Sequence, residues 1–226
     1  MMKNEQSVIG IQYGDVDGDY NCEKIILTGI PYEEGSSFMS EVELMVHYMD
    51  DAKFKFKIDF SGYAINLFLG DFLQEGYDQI LITGQSGGSV NYVLTRLYKF
   101  EQNCLKLVID DEDLSNLLQY QTFYQNDGQI GVQSLATGAV LTLNVRGRRL
   151  TSPGYNHMSQ PFSPPSVSTI NTIYPIKQPY SNYYTLQLQQ RILDEYNADI
   201  LGMIQTVIEL TQLVPVIQSQ AIIQFS

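Results

Sequence analysis

Residues 14–30 read GDVDGDYNCEKIILTGI, an acidic loop followed at once by an apolar, strand-like run. Oxygen-bearing groups at alternate positions are how a short segment wraps around Ca²⁺, a hard cation that takes about six to eight oxygen ligands. The donors expected at loop positions 1, 3, 5, 7 and 9 are Asp15, Asp17, Asp19, the backbone carbonyl of Asn21, and Glu23. The loop therefore predicts one structural calcium site, with a solvated acidic hairpin turn as the alternative.

This loop differs from an EF-hand. An EF-hand loop is closed by a glutamate at position 12 and flanked by helices, whereas position 12 here is Ile26, inside an apolar β-branched run. The loop is therefore predicted to join two strands. Position 6, usually glycine, is Tyr20, and a left-handed conformation there would cost a bulky residue about 1–2 kcal/mol.

The composition is that of a globular protein, because 44% of the 226 residues are hydrophobic and 12% aromatic. The net charge of −12, from 25 acidic and 13 basic residues, argues against nucleic acid or an anionic membrane as a partner. It favours cations or neutral partners, such as a protein or carbohydrate. Two cysteines, Cys22 and Cys104, do not make a disulfide framework, so we expect free thiols.

No stretch approaches the roughly 18 apolar residues of a membrane-spanning helix, so no membrane span is predicted. The first six residues, MMKNEQ, lack the apolar core of a signal peptide. We therefore expect an extracellular or surface location if a leader peptide precedes this sequence, and a cytoplasmic one otherwise.

A second segment repeats the first, since residues 70–84 read GDFLQEGYDQILITG. Asp15 and Asp71 are 56 positions apart, and the same interval leads next to Asp127 and then to Tyr183. Internal periods of this size are typical of propellers, solenoids and arrays. The pattern predicts four units, at about 7–60, 64–110, 119–150 and 170–226, with a Pro/Ser-rich loop at 152–168 between the last two.

Within each unit, alternating apolar residues and turn residues predict strands. The predicted strands are 8–13, 24–30, 41–48, 53–60, 64–69, 79–83, 89–100, 105–109, 121–124, 129–135, 140–145, 172–176, 184–192, 200–210 and 214–225. Helix is the alternative for 186–212, but Gly202 and its β-branched neighbours favour strand. Four strands per unit are typical of a propeller blade. We predict an all-β chain, a single small β-propeller-like domain over residues 1–226 with about four four-stranded units.

The repeated motif, an acidic Gly-Asp-x-Asp-Gly-Asp loop before an Ile-Leu-x-Thr-Gly strand, resembles the FG-GAP and VCBS repeats of integrin α-chain propellers and many bacterial surface proteins. The resemblance covers residues 10–30 and 66–90. It implies that Asp15, Asp17, Asp19, Asn21 and Glu23 bind Ca²⁺ between the first two strands of a blade. Residues 190–202 extend a fainter resemblance to small uncharacterised VCBS-repeat proteins of Gram-positive bacteria, which implies no known activity.

The second loop departs from this pattern. We interpret it as one residue shorter, with Leu73 at position 3 and Gln79 in place of the closing acid. Asp71, Glu75 and Asp78 remain as oxygen donors, so the loop is predicted to be at most a weak second metal site.

Catalytic residues are not predicted anywhere in the chain. His47 lies in an alternating strand and His157 in the Pro/Ser-rich loop, and neither belongs to a metal or hydrolase motif. The basic run 146–149 is interpreted as a solvated turn, or as a contact for an anionic partner or for an acidic face of the same protein. The acidic run 110–113 is interpreted as a turn between blades, with an adventitious second cation site as the alternative.

The tyrosines near the Pro-rich segment are predicted to be exposed; packing within the core or the blades is the first interpretation of them, and recognition of carbohydrate or peptide is the alternative. They are Tyr155, Tyr174, Tyr180, Tyr183 and Tyr184. The prediction is a non-enzymatic, calcium-stabilised binding or interaction module of a bacterial cell or spore surface. The alternatives are a glycosidase or lyase with paired acids in a central propeller cleft, and a structural assembly protein.

Overall fold

The computed structural model describes residues 5–88, 92–125, 128–146, 164–194, 199–211 and 213–225. Over these residues the chain is all-β with one short helix, and each of the fifteen predicted strands is present, most with ends shifted by one to four residues. Asp127, Arg148, Arg149, Tyr155 and His157 lie outside the described residues, as do positions 152–163 of the predicted loop.

The first sheet contains β1 (Ser7–Gly14), β2 (Glu23–Pro31), β3 (Met39–His47) and β4 (Lys53–Lys57), antiparallel and in sequence order. Apolar side chains alternate on the strands, so every second residue points to the same face of the sheet. The buried positions of β2 and β3 are Glu23, Ile25, Leu27, Gly29, Val42, Leu44 and Val46. This alternation is the pattern from which the strands were predicted.

The second sheet repeats the arrangement with β5 (Tyr63–Gly70), β6 (Gln79–Gln85), β7 (Val93–Glu101) and β8 (Cys104–Asp110). Its first strand pair has the register of the first sheet, because Gly70 pairs with Gln79 as Gly14 pairs with Glu23. The two loops between first and second strands therefore have the same length. The interpretation of the second loop as one residue shorter was wrong.

A helix follows the second sheet, where the acidic run predicted a turn. The segment Asp111–Leu117 forms α1, and Leu114 is its buried residue. Asp111 accepts a hydrogen bond from the Thr95 backbone N–H at 3.2 Å and forms an ion pair with Arg96. The turn prediction was wrong because acidic residues, which suit the positive end of a helix, are equally common in solvated turns.

The third sheet has three strands among the described residues: β9 (Tyr120–Gln125), β10 (Gln129–Ser134) and β11 (Val140–Asn144). The fourth contains β12 (Ser166–Lys177), β13 (Tyr184–Leu193), β14 (Ile200–Thr211) and β15 (Val214–Gln224). The helix alternative for 186–212 is excluded where that segment is described.

Strand β12 begins earlier than predicted. It takes in Ser166, Val167 and Ser168, which the sequence assigned to the Pro/Ser-rich loop. The boundary prediction was wrong because serine favours turns and loops, and because Val167, Ile170 and Ile173 are three positions apart, so no period-two alternation marks the start of this strand.

The chain forms two compact units. The first contains residues 1–111, 175–185 and 209–215, and the second contains 112–174, 186–208 and 216–226. The main buried cluster of the first unit is Val16, Ile25, Leu27, Val42, Leu44, Val46, Ile58, Phe60, Leu67, Ile80, Ile82 and Phe100. That of the second is Ile130, Val132, Leu143, Val145, Ile192, Leu201 and Ile204. That residues 1–226 form one domain stays a prediction.

Candidate metal centre

The loop between β1 and β2 is organised by its own carboxylates. The two oxygens of Asp15 accept hydrogen bonds from the backbone N–H groups of Gly18 (2.7 Å) and Tyr20 (2.9 Å). Asp17 accepts one from the N–H of Asp19 at 3.2 Å, and Asp19 one from the N–H of Asn21 at 2.7 Å. Each aspartate thus closes a turn around itself, and together they curl the chain so that the acidic side chains converge.

Tyr20 adopts the left-handed backbone conformation whose energetic cost was considered in the sequence analysis. Its φ is +68°, in the left-handed region, and its side chain is 94% exposed. A non-glycine residue costs about 1–2 kcal/mol in that region. Its N–H bond to Asp15 stabilises this conformation, and the exposed ring makes no steric demand on the loop.

Three carboxylates of the loop lie close enough to share one cation. Asp15, Asp17 and Asp19 each place a carboxylate oxygen within 4.8 Å of the others. Oxygens that share a Ca²⁺ lie about 2.3–2.6 Å from it, so two of them are separated by at most about 5 Å. The donor type and spacing therefore fit Ca²⁺, and bound Ca²⁺ would supply the positive charge that these carboxylates lack.

Glu23 has a different role from the three aspartates. It is only 1% exposed, and its Oε2 accepts a hydrogen bond from the Val16 N–H at 3.0 Å. Burial raises the pKa of its carboxyl, and the charges of Asp17, Asp19 and Asp15 raise it further, against the lowering effect of the Val16 bond. Glu23 lies outside the group formed by the three aspartates, and its hydrogen bond from the Val16 N–H joins the end of the loop to its start. That Glu23 and the Asn21 carbonyl bind metal stays a prediction.

Tyr48 is the site residue that the sequence analysis missed. It follows β3, and its hydroxyl donates to Asp17 Oδ2 at 2.7 Å. Burial and this bond to a carboxylate raise the pKa of Tyr48, so the hydroxyl stays a donor. Nothing local marks this residue, because it is 31 positions from Asp17. Strand register alone could have indicated it: His47 pairs with Lys24, so the next residue, Tyr48, lies beside Glu23 at the end of the loop.

The second loop has the same backbone design with fewer charges. Asp71 accepts hydrogen bonds from the N–H groups of Glu75 (3.0 Å) and Gly76 (2.9 Å). The buried Gln79 Oε1 accepts from Phe72 (2.7 Å) and Leu73 (2.9 Å), as Glu23 accepts from Val16. Gln79 is thus the uncharged counterpart of Glu23.

The predicted second set of ligands does not converge. Asp78 faces the first loop: its N–H donates to the Asp15 carbonyl at 2.7 Å, and a Cβ built on Gly14 would lie 2.3 Å from its Oδ2. Burial raises the pKa of Asp78, and the charges of Asp71 and Asp15 raise it further. Within the described part of the chain, Asp71, Glu75 and Asp78 do not form a group as close as that of the first loop.

The 56-residue interval does not lead to an equivalent position in the fourth sheet, which corresponds to the fourth predicted repeat. Asp71 directly follows β5, but Tyr183 directly precedes β13, and the loop after β12 begins at Gln178. Tyr183 and Tyr184 are half-buried, contrary to the prediction that they are exposed. The Tyr184 N–H donates to the Asp71 carbonyl at 2.7 Å, and the Tyr184 ring packs against Phe68 and Phe72. Tyr174 and Tyr180 are exposed, in agreement with the prediction.

Among the residues that the structure describes, the remaining candidates form no second centre. His47 Nε2 lies 3.2 Å from the exposed Asp51 carboxylate, which is a surface pair. Cys22 and Cys104 are free, as expected, and both are exposed. Among the described residues, the one helix has seven residues, too short for the roughly twenty that cross a bilayer.

We expect Glu23→Gln to stabilise the metal-free protein and weaken its response to calcium. The amide keeps an acceptor for the Val16 N–H and removes a buried charge beside three aspartates. We expect Tm to rise by about 2–4 °C in EDTA at pH 7, which corresponds to a gain of about 1 kcal/mol in the free energy of unfolding. Because folding raises the pKa of Glu23, its ionised form opposes folding at pH 7, so the gain should shrink as the pH falls and Glu23 takes up a proton.

Thermal melts of Glu23→Gln at pH 7 and pH 5 measure this effect. The reciprocal variant Gln79→Glu is the matched control, and it should melt below the wild type because it places a charge at a fully buried position. A lower Tm of Glu23→Gln in EDTA would contradict the conclusion that the buried charge of Glu23 destabilises the metal-free protein.

Comparison with known sequences finds one curated relative. The chain is similar to "Uncharacterized protein YybI" of Bacillus subtilis (strain 168), with 25% identity over 213 residues that cover 91% of this chain and 80% of that protein. The family described as "YybI C-terminal domain" matches residues 118–223. No solved structure matches this chain. Neither match bears on the resemblance to FG-GAP and VCBS repeats. Over most of its length, then, the chain is similar to a bacterial protein whose name states no activity.

Proposed function

We propose that this protein is a non-enzymatic, calcium-stabilised binding or interaction module, and that the β1–β2 loop is its metal site. The observation that supports this most strongly is the approach of Asp15, Asp17 and Asp19 oxygens to within 4.8 Å of one another. Three carboxylates at such short distances repel one another, and a bound divalent cation offsets this repulsion. The metal would be structural, holding the ends of β1 and β2 together.

We also propose that the four sheets are blade-like repeats related to FG-GAP and VCBS units in a propeller-like arrangement. Each sheet consists of antiparallel strands that neighbour one another in sequence order, which is the strand order of a propeller blade. The equal loop lengths and shared register of the first two sheets support a repeat.

A bacterial cell or spore surface is the location we propose. Calcium loops of extracellular modules bind with a Kd of about 10⁻⁴–10⁻³ M, so such a site fills where calcium is millimolar. The curated relative comes from a bacterium. The exposed Tyr174 and Tyr180 offer flat amphipathic contacts for a protein or carbohydrate ligand.

The glycosidase or lyase alternative gains no support from the cavity in the second unit. This cavity has a volume of about 310 Å³. Its lining residues are Ser115, Leu118, Gln119, Tyr120, Leu135, Val167, Ser168, Thr169 and Gln190. A retaining or inverting glycosidase needs two carboxyl groups about 5–9.5 Å apart, and this lining offers none.

Calorimetric titration with CaCl₂ tests the proposal. We expect one site with a Kd of about 10⁻⁴–10⁻³ M, abolished in the double variant Asp17→Ala plus Asp19→Ala. The matched control is Glu33→Ala plus Glu34→Ala, which removes the same charge from exposed positions outside the loop and should leave binding unchanged. Equal binding by both double variants, or no binding by the wild type, would refute the proposal.

A further inference from the structure

A lysine stands beside the second loop at the position that Tyr48 occupies beside the first. Lys24 pairs with His47, and Ile80 pairs with Tyr98, in strand pairs that start from equivalent loop ends. The residues that follow, Tyr48 and Lys99, are therefore equivalent. Tyr48 donates a hydrogen bond to Asp17 of the first loop. Lys99 donates a charged hydrogen bond to Glu75 of the second loop.

Lys99 is held on several sides. Its Nζ donates to Glu75 Oε1 at 2.7 Å and lies 3.8 Å from Glu101 Oε1. It also sits 5.6 Å from the centre of the Tyr77 ring. The Lys99 side chain is 14% exposed and that of Glu75 is 32% exposed, so solvent screens this pair less than an ordinary surface pair.

The residues of the second loop do not fit calcium. Leu73 stands where the first loop has Asp17, and the neutral Gln79 stands where it has Glu23. Asp78 faces the first loop, and Glu75 already binds the Lys99 ammonium. Asp71 alone is left, and calcium requires about six to eight oxygens.

We propose that the Lys99 ammonium is the resident cation of the second loop, taking the place that a metal ion would have there. One loop then depends on metal and the other carries its own positive charge, so the second sheet keeps its loop closed whatever the calcium concentration. The contrast with the first loop rests on the function proposed above, whereas the role of Lys99 is tested without calcium.

A double-mutant cycle in EDTA tests the role of Lys99. Lys99→Met should lower Tm by about 2–4 °C, because it leaves Glu75 without its cation, whereas Glu101 keeps its pair with Lys106. Glu75→Gln should cost less, since Glu101 stays near the ammonium. The decrease in Tm of the double variant should be clearly smaller than the sum of the decreases of the two single variants, which indicates a direct interaction. Additive losses would overturn the proposal.

Lys106→Met is the matched control. Lys106 pairs with Glu101 but is 56% exposed, so removing its charge should change Tm by less than about 1 °C. If Lys106→Met costs as much as Lys99→Met, the effect comes from the net charge of the protein and the proposal fails.

Calcium titration of Asp17→Ala plus Asp19→Ala, with and without Glu75→Gln, separates the two proposals. No binding by either variant is expected. Residual binding that Glu75→Gln removes would place calcium in the second loop and overturn the role of Lys99. If the wild type binds no calcium, the proposed function fails, while the cycle in EDTA still decides whether Lys99 serves as the cation.

Discussion

In 5 mM CaCl₂ the protein is expected to unfold about 2–9 °C above its Tm in 5 mM EDTA. A ligand that binds only the folded state stabilises it by RT ln(1 + [L]/Kd), which is about 1–2.3 kcal/mol for a Kd of 10⁻³–10⁻⁴ M. For a chain of this length, 1 kcal/mol corresponds to about 2–4 °C. The physical source is the relief of repulsion among Asp15, Asp17 and Asp19, whose oxygens lie within 4.8 Å of one another.

Thermal melts followed by circular dichroism measure this shift. Asp17→Ala plus Asp19→Ala should lose it, and Glu33→Ala plus Glu34→Ala should keep it. MgCl₂ at 5 mM should give a smaller shift, because Mg²⁺ requires a tighter octahedral shell and gives up its waters reluctantly. Equal melting in calcium and EDTA would mean that the aspartates serve only as turn-forming residues, and the argument for a surface location would fall with the metal.

Phe72→Ala is expected to lower the free energy of unfolding by about 3–5 kcal/mol. Phe72, the second residue after β5, is fully buried, and its ring centre lies 6.1 Å from that of Phe68 and 5.9 Å from that of Tyr184. A cavity here cannot easily collapse, because the Phe72 backbone is held by Gln79 and the Tyr184 backbone by Asp71. The loss therefore includes both the transfer of the ring and the void that it leaves.

Urea denaturation measures this loss. Phe72→Leu keeps much of the apolar volume and should cost about half as much. Phe225→Ala removes the same ring from a position that is 39% exposed and should cost about 1 kcal/mol or less. A loss below about 1.5 kcal/mol for Phe72→Ala would mean that this aromatic cluster is dispensable to the first unit.

The sequence predicted all the strands because their signals are local. Alternation such as Val42, Leu44 and Val46 sets the buried face of a strand whatever it pairs with. The helix α1 was missed because its acidic start matches a turn equally well. The start of β12 was misplaced because its first residues carry no alternation.

The acidic loop was also predictable from the sequence, since Asp15, Asp17 and Asp19 bring themselves together through bonds to nearby backbone N–H groups. The second loop was misread because residue types alone do not show register. Only the pairing of Gly70 with Gln79 shows that its length matches the first and that Gln79 takes the place of Glu23.

The sequence by itself determined the presence of the described strands and the three-aspartate cluster, because each depends on residues within one turn or strand. The tertiary structure alone decided which side chains complete the two loops. Tyr48 reaches Asp17 across 31 positions, Lys99 reaches Glu75 across 24, and Asp78 turns toward the first loop rather than its own. Such partners are set by how strands pair and how sheets pack. The hydrophobic burial that drives this packing is not directional, so no local sequence motif shows which distant residues will meet.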